Sequence, residues 1–146
     1  KAFVFSRTEA EQQFAKDLGA VWSGNTEDET PEKLHAVIDT TPAWRPVVGA
    51  MRNLERGGRL IVNAIRKEDR DKDALLSLDY SRDLWMEKEI KSVANITRRD
   101  VGEFLALAGK MSIRPEVQEY PLEEANTALL ELKDRKIRGA KVLRIG

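Results

Sequence analysis

The chain has 146 residues, 41% of them hydrophobic, which allows one domain or at most two and a core burying about two-thirds of the unfolded surface. Lys and Arg number 25 and Asp and Glu number 25, so the net charge is zero, which argues against a dedicated binder of nucleic acid or of an anionic membrane. There is no cysteine, which excludes a disulfide framework, a cysteine zinc site and a thiol nucleophile within these residues and fits a cytoplasmic protein.

No apolar run reaches the roughly 18 residues of a membrane span, and no signal-peptide pattern opens the chain. The opening Lys1-Ala2-Phe3-Val4-Phe5 is strand-like and lacks an initiator Met, so a longer parent protein is expected.

Residues 2–6 form a short apolar run, consistent with a buried strand. Thr8 caps the helix that follows, with Glu11 in the capping-box position. Phe14, Ala15 and Leu18 form the apolar face of that helix, and Gly19 ends it. Residues 20–22 are a second short strand, and the polar stretch 23–33 is a loop. Residues 34–40 (LHAVIDT) are a third strand, closed by a turn at Pro42. Residues 43–54 are helical, with Val47, Val48, Met51 and Leu54 on one face. Gly57-Gly58 breaks that helix before the strongly apolar strand 59–64. The mixed charge run 66–73 reads as an exposed loop, 80–86 as a short helix and 89–95 as a strand. Thr97 caps a helix carrying Val101, Phe104, Leu105 and Leu107, with Asp100 in the capping-box position. After Pro115 come a strand over 116–120, a helix over 122–136 introduced by Pro121, and a last strand over 140–145.

Alternating strands and helices predict an α/β fold: a parallel sheet with helices on both faces and right-handed crossovers. In such sheets ligands bind beyond the carboxyl ends of the strands. Four ends place small or polar residues there: Ser6-Arg7-Thr8, Thr40-Thr41-Pro42, Val62-Asn63-Ala64 and Val93-Ala94-Asn95. Each alone is an ordinary turn; the four together carry more weight.

Ser6-Arg7 is the most informative pair. A nicotinamide-binding sheet that prefers NAD ends its second strand in Asp or Glu, which accepts from the ribose 2′-hydroxyl. Ser followed by Arg offers a hydroxyl and a guanidinium to a 2′-phosphate instead. There is no G-x-G-x-x-G, so the usual phosphate cradle is missing. The only histidine, His35, lies at the start of a strand, away from the carboxyl ends. The acidic run Glu27-Asp28-Glu29 reads as a solvated loop. Arg98-Arg99 oppose the dipole of the helix they open, which mildly raises the case for an anionic ligand nearby over that of ordinary surface residues.

Longer stretches then combine in a familiar order. Residues 54–64 (LERGGRLIVNA) are followed by 83–90 (DLWMEKEI), 91–100 (KSVANITRRD), 120–126 (YPLEEAN) and 139–143 (GAKVL). This order resembles the C-terminal half of the zinc-dependent alcohol dehydrogenases of the medium-chain dehydrogenase/reductase superfamily. Ser6-Arg7 with residues 16–20 (KDLGA) resembles that family's second strand and following helix.

The resemblance implies a Rossmann-like fold lacking the usual first strand and glycine-rich loop. It implies a partial NAD(P)-binding domain over 1–114, and a helix and strand over 115–146 that pack on the catalytic domain in relatives. It implies a preference for NADP over NAD at Ser6 and Arg7. It places Thr40 and Thr41 beside the nicotinamide ribose, Val62, Asn63 and Ala64 under the ring, and Val93, Ala94 and Asn95 at the carboxamide. Ala140 stands where many relatives carry a phosphate-binding Arg, with Lys141 adjacent.

The family's zinc ligands and proton relay have no counterpart here, so zinc belongs to a catalytic domain outside these residues. The reaction implied for the intact protein is reversible hydride transfer between an alcohol and NADP, giving an aldehyde or ketone, with this chain inert alone. A homo-oligomer is implied, with no nucleic-acid or membrane partner. Two other readings stay open: a zinc-free quinone or enoyl reductase of the same superfamily, and a non-enzymatic domain that self-associates through exposed sheet edges. The family's missing first strand is the central one of the order 3-2-1-4-5-6, so strands 2–6 and 34–40 are expected to have unpaired inner edges.

Overall fold

The computed structural model describes residues 1–134 and 136–146. They form two compact units, Lys1–Asn95 and Ile96–Gly146.

The first unit begins with β1 (Phe3–Phe5), α1 (Glu9–Asp17) and β2 (Trp22–Gly24). Thr8 caps α1 as its sequence position predicts, the Glu11 N–H donating to Thr8 Oγ1 at 3.3 Å. β2 returns parallel to β1, with Phe3 opposite Trp22 and Phe5 opposite Gly24. The Trp22 ring stands edge-on to Phe5 at 5.2 Å.

β3 (Leu34–Asp39), α2 (Arg45–Asn53), β4 (Leu54–Val62) and β5 (Glu89–Ser92) follow. The three strands pair in the order β3-β4-β5, all parallel. The apolar side of α2 provides Val47, Ala50 and Met51, which are buried with Leu54 and Leu60 of β4. Val37, Trp44, Val62, Leu78 and Leu84 pack around them.

Three sequence expectations are corrected. Gly57-Gly58 does not end the helix; α2 stops at Asn53, and the glycines lie inside β4. There Leu34 pairs with Leu54 but Ala36 pairs with Arg59, so β4 bulges between these points and Gly57 takes φ +68°. The stretch 80–86 holds a five-residue π-helical turn, Tyr80–Leu84. The charge run 66–73 is an exposed loop only in part: Lys67, Glu68 and Asp71 are half-buried, and a 3₁₀ helix starts at Lys72. The Asp71 carboxylate accepts from the Trp44 and Arg45 N–H groups at 2.9 and 3.0 Å. It thus caps α2, which has no side-chain cap of its own.

The second unit holds α3 (Arg98–Lys110), β6 (Val117–Pro121), α4 (Ala125–Lys133) and β7 (Ala140–Arg144). The Thr97 and Asp100 capping box of α3 is complete in both directions. β6 and β7 are parallel and joined by α4. The predicted helix over 122–136 starts as a 3₁₀ turn at Leu122–Glu124, and its Arg135 lies outside the described residues.

Among the described residues the strands thus make three parallel sheets, of two, three and two strands, instead of one. β1 pairs only with β2, and β3 only with β4. Among the described residues the edge of β1 away from β2 and the edge of β3 away from β4 have no strand partner. A cleft of about 960 Å³ is lined by Phe3 and Phe5 from β1 and by Ala36, Val37 and Ile38 from β3. Among the described residues no helix is long and apolar enough to cross a membrane.

Candidate functional site

Three of the four predicted strand ends meet at one edge of the β3-β4-β5 sheet. Parallel pairing aligns them: the Asn63 N–H donates to the Asp39 carbonyl at 2.7 Å, and the Val93 N–H to the Val62 carbonyl at 3.2 Å. Thr40, Asn63, Val93, Ala94 and Asn95 are exposed there, while Thr41, Val62 and Ala64 are half-buried. Asn95 takes φ +59°, a left-handed conformation that Asn accepts more readily than most residues.

The two threonines differ in what they have left to offer. Thr41 Oγ1 donates to Asp39 Oδ1 at 2.8 Å, and the Thr41 N–H reaches the same oxygen at 3.0 Å. The Thr41 hydroxyl proton is therefore taken by the protein itself, and Thr40 is the threonine that presents its side chain outward.

The fourth end belongs to the other sheet. Ser6 follows β1 and is half-buried, and Arg7 is exposed beside it. The Ser6 hydroxyl donates to Glu11 Oε2 at 2.5 Å. That bond, with those from Thr8, holds the Glu11 carboxyl below its usual value. Ser6 and Glu11 line a depression of about 420 Å³ with Phe14 and Ala15. A 2′-phosphate arriving at Ser6 would meet a carboxylate there, so its attraction would rest on Arg7.

Other candidates have structural partners. His35 Nε2 pairs with Glu55 Oε1 at 3.2 Å on the exposed surface. Asp28 Oδ2 accepts from the Asn25 N–H at 2.7 Å, and Glu27 pairs with Arg45. Arg99 pairs with Glu103 one turn along α3. Lys141 is 6% exposed and donates to Glu131 Oε2, to the Tyr120 hydroxyl and to Gln118 Oε1. Burial works against its charge, but the bonds to Glu131 and Tyr120 prevail and raise its pKa. It is thus committed within its unit. Among the described residues no group of three His, Asp or Glu side chains converges to hold a metal ion.

Sequence reasoning missed Asp39 and Lys67. Lys67 Nζ pairs with Asp39 Oδ2, and the two side chains are 11% and 3% exposed. A signal was available: an Asp ending an apolar strand needs a partner once buried. Nothing in the sequence said which of the cations in 66–72 would supply it.

No family model matches the chain. Among curated proteins it is 34% identical over 142 residues to "Probable alcohol dehydrogenase AdhA" of Mycobacterium tuberculosis, a match covering 97% of this chain and 40% of that protein. It is 27% identical over 146 residues to "Alcohol dehydrogenase" of Geobacillus stearothermophilus, covering 94% and 41%. The chain therefore spans about 40% of the length of the curated relatives it matches.

Solved structures agree on the fold. Benzyl alcohol dehydrogenase from Acinetobacter calcoaceticus superposes with a TM-score of 0.72 at 16% identity, covering 99% of this chain and 42% of that one. E. coli YhdH with bound NADPH gives 0.70 at 14%, covering 99% and 46%. Bacillus subtilis yhfP with NAD bound gives 0.67 at 16%, also covering 99% and 46%. With its parallel α/β architecture and the order of its motifs, the chain is similar to the C-terminal portion of alcohol dehydrogenases of the zinc-dependent medium-chain dehydrogenase/reductase type.

Proposed function

We propose that this chain binds a nicotinamide dinucleotide at the carboxyl ends of its strands, with NADP preferred, as part of an alcohol dehydrogenase. The observation that carries this reading is the alignment of Thr40, Asn63 and Val93–Asn95 along one sheet edge, with exposed polar groups and no competing internal partner for the Thr40 side chain among the bonds described above. Strand ends of this kind are where open α/β sheets hold ligands. Two relatives named as alcohol dehydrogenases and fold neighbours carrying NAD or NADPH support it.

In the whole protein the substrate is an alcohol, or an aldehyde or ketone in reverse. The bound dinucleotide would supply the acceptor for the hydride of the alcohol carbon, with the hydroxyl proton lost to solvent or to a base outside these residues. The residues of this chain supply the cofactor side: Thr40 and Asn63 near the nicotinamide half, Arg7 near the adenosine half. None of the site residues is an acid or base suited to take the alcohol proton. The chain alone is therefore expected to turn over no alcohol, and any zinc would be held by residues other than these. In the intact protein we further place the enzyme in the cytoplasm as a homo-oligomer.

The test is a titration of the isotope-labelled chain with NADPH and with NADH, followed through the amide resonances of Thr40, Asn63, Val93 and Arg7. Saturable shifts at these positions, at lower concentration for NADPH, are expected. Shifts confined to other surfaces would overturn the reading. Equal shifts by both dinucleotides would overturn the NADP preference alone.

A further inference from the structure

The run 66–71 does more than close a loop. Lys67 Nζ donates to the Thr41 carbonyl at 2.9 Å and to the Ala43 carbonyl at 2.8 Å, besides its pairing with Asp39 Oδ2. All three ammonium protons are used. The Glu68 N–H donates to the Pro42 carbonyl at 2.8 Å, between those two. Three consecutive carbonyls, from Thr41 to Ala43, are thus held from one short segment. The Trp44 ring closes over the ammonium, 5.6 Å from its centroid. On the other side Asp39 joins the pair to the sheet, since its carboxylate takes Thr41 and its main-chain carbonyl takes Asn63.

We propose that Lys67 is a positioning residue: paired with Asp39, it fixes the turn after β3 so that Thr40 and Asn63 face the dinucleotide. This rests on the nicotinamide reading above. Lys67 is not a phosphate ligand, because its charge is cancelled by Asp39 and its protons are spent. Nor does stability alone account for the arrangement. A well-packed apolar pair often replaces a buried ion pair at no cost in stability, but it would take the Lys67 donor from the Thr41 and Ala43 carbonyls, leaving Ala43 only the Thr41 hydroxyl at 3.4 Å, and free the turn to shift. A shift of about 1 Å in a binding group is enough to lose much of an interaction.

The experiment separates the two roles in the chain as it stands. Lys67→Met, Lys67→Met with Asp39→Leu, and Lys67→Arg are compared with the parent chain by thermal melting, NADPH and NADH titration, and amide exchange at Asn63 and Glu68. Those two amides keep their main-chain acceptors in every variant. Lys67→Met is expected to melt lower and to bind about tenfold more weakly. The double variant is expected to melt close to the parent, yet still bind about tenfold more weakly and exchange faster at Asn63 and Glu68. Lys67→Arg keeps the charge and holds the fold if the double variant does not, and is expected to show the same loss of binding in weaker form. Parent-like binding and exchange in the double variant, or in Lys67→Arg should the double variant not fold, would overturn the proposal. If the parent chain binds neither dinucleotide, the cofactor reading fails, and with it Lys67's role toward a ligand. Exchange at Asn63 then reports whether the clamp orders the turn for some other ligand, and unchanged exchange in the variants rejects that as well.

Discussion

At the scale of single residues, the buried polar groups are the ones whose removal costs most. Asn53 is buried and fully used: its Oδ1 accepts from the Thr30 N–H and hydroxyl at 2.8 and 2.9 Å, and its Nδ2 donates to the Asp28 and Gly49 carbonyls. Asn53→Ala removes these bonds inside the core; the Thr30 hydroxyl keeps the Glu32 carbonyl, but the Thr30 N–H loses its acceptor. A loss of about 3 kcal/mol is expected, at the upper end for an orphaned buried group, and urea unfolding would measure it. Several carboxyls are held below their usual values, Asp71 and Asp83 among them. Asp71 is held below its usual value by the Arg45 and Trp44 N–H groups, whose bonds outweigh burial. Asp83 has no exposed side-chain surface; burial works against its charge, but the Arg82 guanidinium and the Asp79 N–H prevail and lower it. A carboxyl lowered on folding adds stability above its unfolded value, about pH 4, and loses it as the pH falls through the folded value. Stability is therefore expected to be flat above about pH 5 and to fall below it. Asp71→Asn should flatten that fall, as read by melting between about pH 5 and 2. The strand-end candidates could be read from the sequence because position along a strand is a local property. Lys67 and Asp71 could not, since one buried cation or carboxylate in a run of alternating charges looks like its solvated neighbours until the partner 27 or 28 residues away is known.

At the scale of elements, local signals served where the element is decided locally. The caps at Thr8 and Thr97 are side-chain-to-backbone bonds spanning three residues, so spacing alone reveals them. The bulge in β4 is decided by pairing with β3, a contact between distant segments, and Gly57-Gly58 therefore looked like a helix stop. The structure gives the two glycines different jobs. Gly57 is left-handed, and its N–H donates to the Met86 carbonyl at 2.8 Å. Gly58 has an ordinary φ but no room: a Cβ would stand 2.9 Å from the Glu55 carbonyl oxygen and 3.1 Å from that of Leu34. Gly57→Asn is accordingly expected to be mild, because Asn tolerates the left-handed region. Gly58→Ala is expected to cost about 1–3 kcal/mol through crowding against backbone that cannot easily move. The order of the two in urea unfolding checks the assignment. If Gly57→Asn proves the more damaging, the bulge is held by Gly57's conformation and not by close approach at Gly58.

At the scale of the whole molecule, the break between β1 and β3 decides which part of the sheet is least protected. Successive residues of a strand point their N–H and C=O groups to opposite edges. In β1 the Ser6 N–H donates to the Gly24 carbonyl and the Ala2 carbonyl accepts from Val21, so the even-numbered residues face β2. Phe3 and Phe5 then direct their backbone groups into the cleft. In β3 the Asp39 carbonyl accepts from Asn63, so the odd-numbered residues face β4, and Ala36 and Ile38 face the cleft. Unsatisfied backbone groups at a sheet edge must find water or another strand. Amide exchange is therefore expected to alternate along both strands: fast at Phe3, Phe5, Ala36 and Ile38, and slow at Val4, Val37 and Asp39. The cleft also fixes what would change the pattern. A strand entering the cleft would pair with the free edges of both β1 and β3. Any longer form of the protein that carries such a strand should slow the four fast amides together and leave the slow ones as they are. Uniformly slow exchange in the present chain would instead mean that β1 and β3 have already found another partner, with self-association through these edges, visible by sedimentation, as the first explanation to check.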